Sequence, residues 1–169
     1  MTRLRNLHLA DCVKEEMLKA AVALLIAAVA LAVPAVAAEK PNFSGDWKMN
    51  TAQSNFGPLP GPSSVVRKIT HTEPSLVIVE QQEGGLGDQT TTRKYTTDGS
   101  DMSFEASGAT IKGKAVWEGD VLVLTSTLDE MGVKFTDRMT ITGDGKLTSA
   151  VHISSPQGDV DILIVFDRQ

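Results

Sequence analysis

The chain has 169 residues, 41% of them hydrophobic and 5% aromatic, with a formal net charge of −5 and one cysteine. The acidic balance, with basic residues only as singles or pairs, argues against nucleic-acid phosphates or anionic membranes as partners. One cysteine excludes a disulfide framework, and so few aromatic residues argue against the two aromatic girdles of an outer-membrane barrel.

The first predicted element is a secretory signal peptide. Residues 20–33 carry no charge, follow Lys19, and are followed by a Pro and the small-residue sequence AVAA at 35–38. This apolar run is too short for a membrane span, and its flanks are those of a leader cleaved after Ala37 or Ala38. Met17 is the expected true start, because the segment beginning there is already a complete leader. The protein is therefore expected to be secreted or periplasmic, with no stable membrane insertion after cleavage.

Two regions follow from this cleavage: a leader at 1–38 and a single β-barrel domain at 39–169. The second region has twelve Lys and Arg against eighteen Asp and Glu. Turn sequences separate short runs rich in Val, Ile and Thr, which is typical of antiparallel hairpins. Strands are predicted at 43–49, 64–72, 75–82, 88–96, 101–106, 109–117, 120–128, 132–142, 146–155 and 159–167. The expected fold is all-β, an antiparallel up-and-down β-barrel of about 8–10 strands, with a two-sheet sandwich as the alternative.

Alternation within the predicted strands identifies the interior faces. Residues of one parity are expected to point inward. They are Phe43, Gly45, Trp47 and Met49; Ile111, Ala115 and Trp117; Val133, Phe135, Met139 and Ile141; and Ile162, Ile164 and Phe166. The Pro-Gly-rich stretch at 51–63 interrupts this pattern and is predicted to cover one end of the barrel.

The first strand opens with Phe43-x-Gly45-x-Trp47, which resembles the start of lipocalins and intracellular fatty-acid-binding proteins. The resemblance implies that Trp47 plugs the closed end of a barrel and that Gly45 lets strands pass closely. More of the chain resembles lipocalin-like exported bacterial proteins of unknown function, through FSGDWKMN, SNFGPLPGP, RKITHTEPSLVIVE, YTTDG, WEGDVL and HISSPQGDV. The helical lid and the carboxylate-gripping Arg-x-Tyr pair of fatty-acid-binding proteins are missing, as is the lipocalin disulfide.

Polar residues on predicted inward faces are the candidate ligand-binding residues. They are Arg67, His71, Arg93, Tyr95 and Asp137. A charge inside a small barrel is costly unless it is paired or bonded to a ligand. Either an arginine faces an acidic head group, assisted by Tyr95, or these residues are solvent-facing or form a structural bridge with Asp137. Because Asp137 is the one obvious inward acid, one guanidinium is expected to be left without a partner.

No motif for catalysis, metal binding or a cofactor is present in the predicted domain. His71 and His152 are its two histidines, far apart in sequence, and no Ser lies in a nucleophile motif. Three functions stay open: binding of a small apolar or amphiphilic ligand, an envelope interaction or structural module with a filled barrel, and an enzyme using two carboxylates. An interior cavity of about 300 Å³ or more would favour the first function. The oligomeric state is not predicted.

Overall fold

A computed structural model describes residues 39–85, 87–106 and 108–169, and the predicted signal peptide lies outside these residues. A compact unit spans Lys40–Gln169. It contains ten strands and one short 3-10 helix: β1 (Gly45–Met49), β2 (Pro62–Thr72), β3 (Ser75–Gly84), β4 (Gln89–Thr96), β5 (Met102–Ala106), β6 (Ala109–Glu118), β7 (Val121–Leu128), the 3-10 helix (Asp129–Met131), β8 (Val133–Ile141), β9 (Leu147–Ser154) and β10 (Val160–Arg168). Among the described residues, no helix is long and apolar enough to cross a membrane.

The strands form one antiparallel sheet that curls into a nearly closed barrel. Its order is β4-β3-β2-β1-β10-β9-β8-β7-β6-β5, so β1 pairs with both β2 and the last strand. The edge strands β4 and β5 do not pair, but side chains pack across the opening. The rings of Tyr95 on β4 and Phe104 on β5 meet edge to face with centroids 6.0 Å apart. The predicted up-and-down barrel is confirmed, and the sandwich alternative is wrong.

The strands form where hydrophobic alternation and turn residues predicted them. In β2, the residues Val65, Arg67, Ile69 and His71 are buried, while Lys68 between them is exposed. This period of two places one face of the strand inside the barrel and the other in solvent. The same alternation in the other strands determines which side chains can meet in the interior.

One end of the barrel is closed by residues 40–47, which comprise the N-terminal segment before β1 (40–44) and the start of β1. Phe43 and Trp47 are fully buried, and the Trp47 indole donates a hydrogen bond to the Phe43 carbonyl at 3.0 Å. The guanidinium of Arg168 lies over the Trp47 ring, 4.3 Å from its centroid. Gly45 has a φ of 143°, and a Cβ built there would lie 2.6 Å from Arg168 Nη1. Gly45 therefore makes room for the guanidinium of the last strand as it stacks on Trp47.

The opposite end is covered by the connection between β1 and β2, as predicted for 51–63. The regular part of β2 begins at Pro62, so the irregular stretch is slightly shorter than expected. Asn55 pairs with Leu163 of β10 through two backbone hydrogen bonds of 2.7 and 2.8 Å. The connection consists of turns and this bridge, with no helix. It carries Phe56, Leu59 and Pro60 to the mouth of the interior.

Candidate functional site

The barrel interior contains a cavity of about 370 Å³ beneath the β1–β2 connection. Its apolar wall includes Phe104, Ile111, Leu124, Phe135, Val151 and Ile153 on β5 to β9, and Val65, Ile162 and Ile164 on β2 and β10. Several predicted core residues, among them Ile111, Phe135 and Ile162, are only partly buried. Because these three side chains line the cavity, their predicted inward orientation is confirmed, but they are not packed in a closed core.

A cluster of charged side chains lines this cavity and joins β2, β3 and β4 on one side of the barrel to β8 and β9 on the other. Arg67 pairs through Nε with Glu80 of the neighbouring strand β3. Its Nη1 donates to Ser149 Oγ at 3.2 Å and lies 4.0 Å from Asp137 Oδ2. Arg93 of β4 lies on the other side of Glu80, with Nη2 3.3 Å from the same carboxylate oxygen. Two guanidinium groups and two carboxylates therefore form one interior network.

Burial and hydrogen bonding fix the geometry of this network. Arg67 is 3% exposed and Asp137 is 5% exposed, so neither charge is solvated by bulk water. Ser149 links them, because it accepts from Arg67 and donates to Asp137 Oδ1 at 2.5 Å. The Arg67 guanidinium also stacks on Phe166, 4.5 Å from the ring centroid. Each polar group is thus satisfied, as buried charges require.

The pKa values of Glu80 and Arg93 both favour the charged forms of these side chains. Burial alone would raise the pKa of Glu80, but the guanidinium groups of Arg67 and Arg93 outweigh it and lower that pKa. Burial alone would lower the pKa of Arg93, but Glu80 chiefly, then Tyr95 and Asp137, hold it above its usual value. Glu80 and Arg93 are therefore both ionised at neutral pH.

Tyr95 lies next to this cluster without lining the cavity itself. Its ring is buried beside Phe104, and its hydroxyl lies 3.1 Å from Ser126 Oγ on β7. Gly113 on β6 leaves room for this ring, since a Cβ there would lie 2.8 Å from Tyr95 Cε1. Tyr95 thus bridges the opening between the edge strands and interacts with Arg93 from there.

His71 lies at the closed end, apart from the other four predicted site residues. Its ring packs against Phe43 and Trp117, with centroids 5.7 and 6.1 Å away. Nδ1 accepts a hydrogen bond from the Phe43 backbone N–H at 3.3 Å, and Nε2 lies 3.2 Å from Glu73 Oε1. It is not among the residues lining the cavity. The prediction that groups His71 with Arg67 is therefore corrected, because the two face the same interior at different depths.

Sequence reasoning missed Glu80 and Ser149. Glu80 shares the parity of Leu76 and Ile78, both fully buried, so the alternation in β3 already pointed it inward. Ser149 likewise follows the inward Leu147. The expectation of an unpartnered guanidinium is wrong, because Glu80 contacts both Arg67 and Arg93.

The cluster does not have the composition of a metal site. Among the described residues, no group of three or more His, Cys, Asp or Glu side chains is placed to hold a metal ion. The two interior carboxylates are each engaged by a guanidinium or a hydroxyl donor. The arrangement offers charged and hydroxyl groups for hydrogen bonding, next to a larger apolar surface.

Solved structures share this fold at low sequence identity. Zebrafish ileal bile acid-binding protein, in complex with cholic acid, is 19% identical, with a TM-score of 0.57 over 75% of this chain and 98% of its own. A secretory abundant heat soluble protein from Ramazzottius varieornatus is 13% identical, with a TM-score of 0.58 over 75% and 95%. Fatty-acid-binding protein 1 of Echinococcus granulosus is 11% identical, with a TM-score of 0.54 over 75% and 96%. No protein-family model and no curated protein sequence matches the chain. These likenesses support the barrel fold of fatty-acid-binding and lipocalin-like proteins.

Proposed function

We propose that the barrel binds a small apolar or amphiphilic molecule in its interior cavity and acts without catalysing a reaction. The observation that carries this proposal is the cavity of about 370 Å³, with its apolar wall and one charged cluster. Binding sites for small molecules are typically about 300–1,000 Å³, mostly apolar, with a few polar groups that orient the ligand. A module with a filled barrel would instead pack these side chains against one another.

Two further observations support ligand binding. Two of the similar structures are named for a bile acid or a fatty acid, which are both amphiphiles. In addition, the interior carboxylates of Glu80 and Asp137 are each ion-paired with Arg67, which disfavours their protonation. A carboxylate pair in a hydrolase needs one member free to exchange a proton with substrate or water. The arrangement favours a binding role for the cluster.

A cavity-filling substitution tests the proposal. Val151 lines the cavity, so Val151→Trp would place an indole in the ligand volume. Ala150, its exposed neighbour on β9, provides the matched control Ala150→Trp on the outer face. The assay is fluorescence titration with the uncharged probe N-phenyl-1-naphthylamine, with circular dichroism to confirm folding.

We expect the wild-type protein and Ala150→Trp to bind the probe with similar affinity. Val151→Trp should weaken binding by about tenfold or more, because apolar volume and contact area are both lost. Equal binding by all three proteins would place the probe outside the barrel. Failure of the wild type to bind this probe or any tested amphiphile would contradict the proposed function.

We also propose that the protein acts in the periplasm or outside the cell, because the sequence of residues 1–38 has the pattern of a cleavable leader. Mature protein should begin at Ala38 or Glu39, and N-terminal sequencing of exported material measures this directly. Exported protein that retains the segment 20–33 would contradict cleavage.

A further inference from the structure

The charges inside the cavity balance. Arg67 and Arg93 contribute two positive charges, and Glu80 and Asp137 contribute two negative charges. Glu80 is the link, because its Oε2 atom contacts both guanidinium groups. Both arginines are therefore charge-compensated without an anionic ligand.

An anionic head group would disturb this balance. A carboxylate bound beside Arg93 would bring a second negative charge next to Glu80 and leave the interior with a net charge of −1. Because two guanidinium groups hold Glu80 in its ionised form, it does not readily take up a proton to restore neutrality. An uncompensated charge in a mostly apolar interior is costly, so a carboxylate gains little from these arginines.

Acidic residues at the mouth of the barrel also disfavour the binding of an anionic ligand. In an up-and-down barrel, alternate connections lie at the same end, so the β3–β4, β7–β8 and β9–β10 turns surround the β1–β2 connection. These turns and the adjoining strand ends carry an acidic rim, which we define as Glu83, Asp88, Asp129, Glu130, Asp159 and Asp161. Lys112 pairs with Asp129 at 2.5 Å, the His152 ring lies 2.8 Å from Asp161 and 3.9 Å from Asp159, and Lys134 lies at the start of β8. The remaining acidic excess lowers the local concentration of anions at the entrance.

An uncharged polar head group meets no such penalty. Each guanidinium carries five N–H donors and a carboxylate has two acceptor oxygens, so the cluster can bind both the oxygen and the proton of a hydroxyl. Both functions are available while the ion pairs of Glu80 stay in place. The apolar wall formed by Phe104, Ile111 and Phe135 would bury the chain of such a ligand.

We propose that the cavity selects amphiphiles with an uncharged polar head group over carboxylates, and that Glu80 determines this specificity because it pairs with both Arg67 and Arg93 and, together with Asp137, balances their charge. The proposal rests on the proposed ligand binding and names the ligand class. Glu80 acts on the ligand head group through the charge of the two arginines.

The first experiment compares three ligands of equal chain length on the wild-type protein. 1-Decanol, decanoate and decylammonium compete with N-phenyl-1-naphthylamine at pH 7.5 and 0.15 M salt. We expect 1-decanol to bind at least tenfold more tightly than decanoate, and also more tightly than decylammonium.

The second experiment changes the interior charge. Glu80→Gln removes the shared carboxylate and leaves the cavity with a net charge of +1, so the affinity for decanoate should rise at least tenfold. The affinity for 1-decanol should change less than threefold. Glu80→Gln with Arg93→Gln restores neutrality and should abolish the gain. Glu118→Gln is the matched control, because it removes the same charge from an exposed residue at the closed end, paired with Arg138.

The outcomes separate the two proposals. If neither the probe nor any of the three ligands binds to the wild type, the proposed function fails, and the specificity proposal fails with it. If decanoate or decylammonium binds as tightly as 1-decanol, or tighter, ligand binding stands and the proposed specificity is overturned. A gain for decanoate in Glu118→Gln equal to that in Glu80→Gln would assign the effect to overall charge and overturn the role of Glu80. The wild-type comparison decides the ligand class even if a variant does not fold.

Discussion

Replacing Trp47 tests whether the closed end of the barrel supports the whole fold. The side chain is fully buried, lies beneath the guanidinium of Arg168 and donates a hydrogen bond to the Phe43 carbonyl. Trp47→Ala removes the indole and leaves a cavity between β1 and the N-terminal segment. The carbonyl of Phe43 loses its indole donor at the same time.

The expected loss follows from these contacts. Truncating a buried aromatic side chain to Ala costs about 3–5 kcal/mol. An unsatisfied buried acceptor costs about 1–3 kcal/mol, although the two effects overlap when the same side chain causes both. We therefore expect Trp47→Ala to lower the free energy of unfolding by about 4–5 kcal/mol. Trp47→Phe keeps most of the ring and removes the N–H donor, so it should cost about 1–3 kcal/mol.

Urea unfolding followed by far-ultraviolet circular dichroism measures these values, since Trp117 would complicate fluorescence. Met131→Ala is the control, because Met131 is 64% exposed and its replacement should change stability by less than about 0.5 kcal/mol. A loss of unfolding free energy below about 1 kcal/mol for Trp47→Ala would show that Trp47 does not support the closed end of the barrel, because removing a buried aromatic side chain costs more than this.

The charged cluster gives two further predictions. Arg67→Met should lower the free energy of unfolding by about 3–5 kcal/mol, because Asp137 then keeps Ser149 but loses its nearby cation. Arg93→Met should lower the free energy of unfolding clearly less, because Glu80 keeps its ion pair with Arg67. Equal losses of free energy in urea unfolding of the two variants would contradict this order. The folded-state pKa of Glu80 is lowered below its ordinary value of 4.5, so its ionised form stabilises the protein above that pH. This stabilisation is lost as the pH falls through the lower folded-state pKa, so melting temperature should drop more steeply below about pH 5 in the wild type than in Glu80→Gln.

Much of the fold could be predicted because its determinants are local. Alternation along β2 and the turn residues between strands depend on neighbouring positions in the sequence. The observed strand ends therefore agree with the predicted ones to within two residues. The orientation of Arg67, Arg93 and Asp137 toward the cavity was predicted by the same parity, and the structure places all three there.

The partners of these residues could not be predicted in the same way. Parity gives the face of a strand but not the depth at which a side chain lies along the barrel. Arg67 and His71 have equal parity, yet four residues at about 3.3 Å each separate them by about 13 Å. Arg67 on β2 also reaches Asp137 on β8 across the interior, although these strands are not neighbours in the sheet. Contacts of this kind depend on how the sheet curls.

The position of the charged cluster connects the stability of the barrel to its proposed function. Replacing a buried ion network by well-packed apolar side chains is often neutral or stabilising, so the network is weak evidence for a stability role. The closed end around Phe43 and Trp47 shows that this chain can fill its interior with aromatic side chains. The network instead lies where the interior is open, with Arg67, Glu80 and Asp137 all on the cavity wall. Buried charged groups beside an unfilled volume lower stability, and ligand binding explains their presence if the ligand forms hydrogen bonds with them. The charged cluster therefore supports the binding proposal more strongly than the barrel fold does.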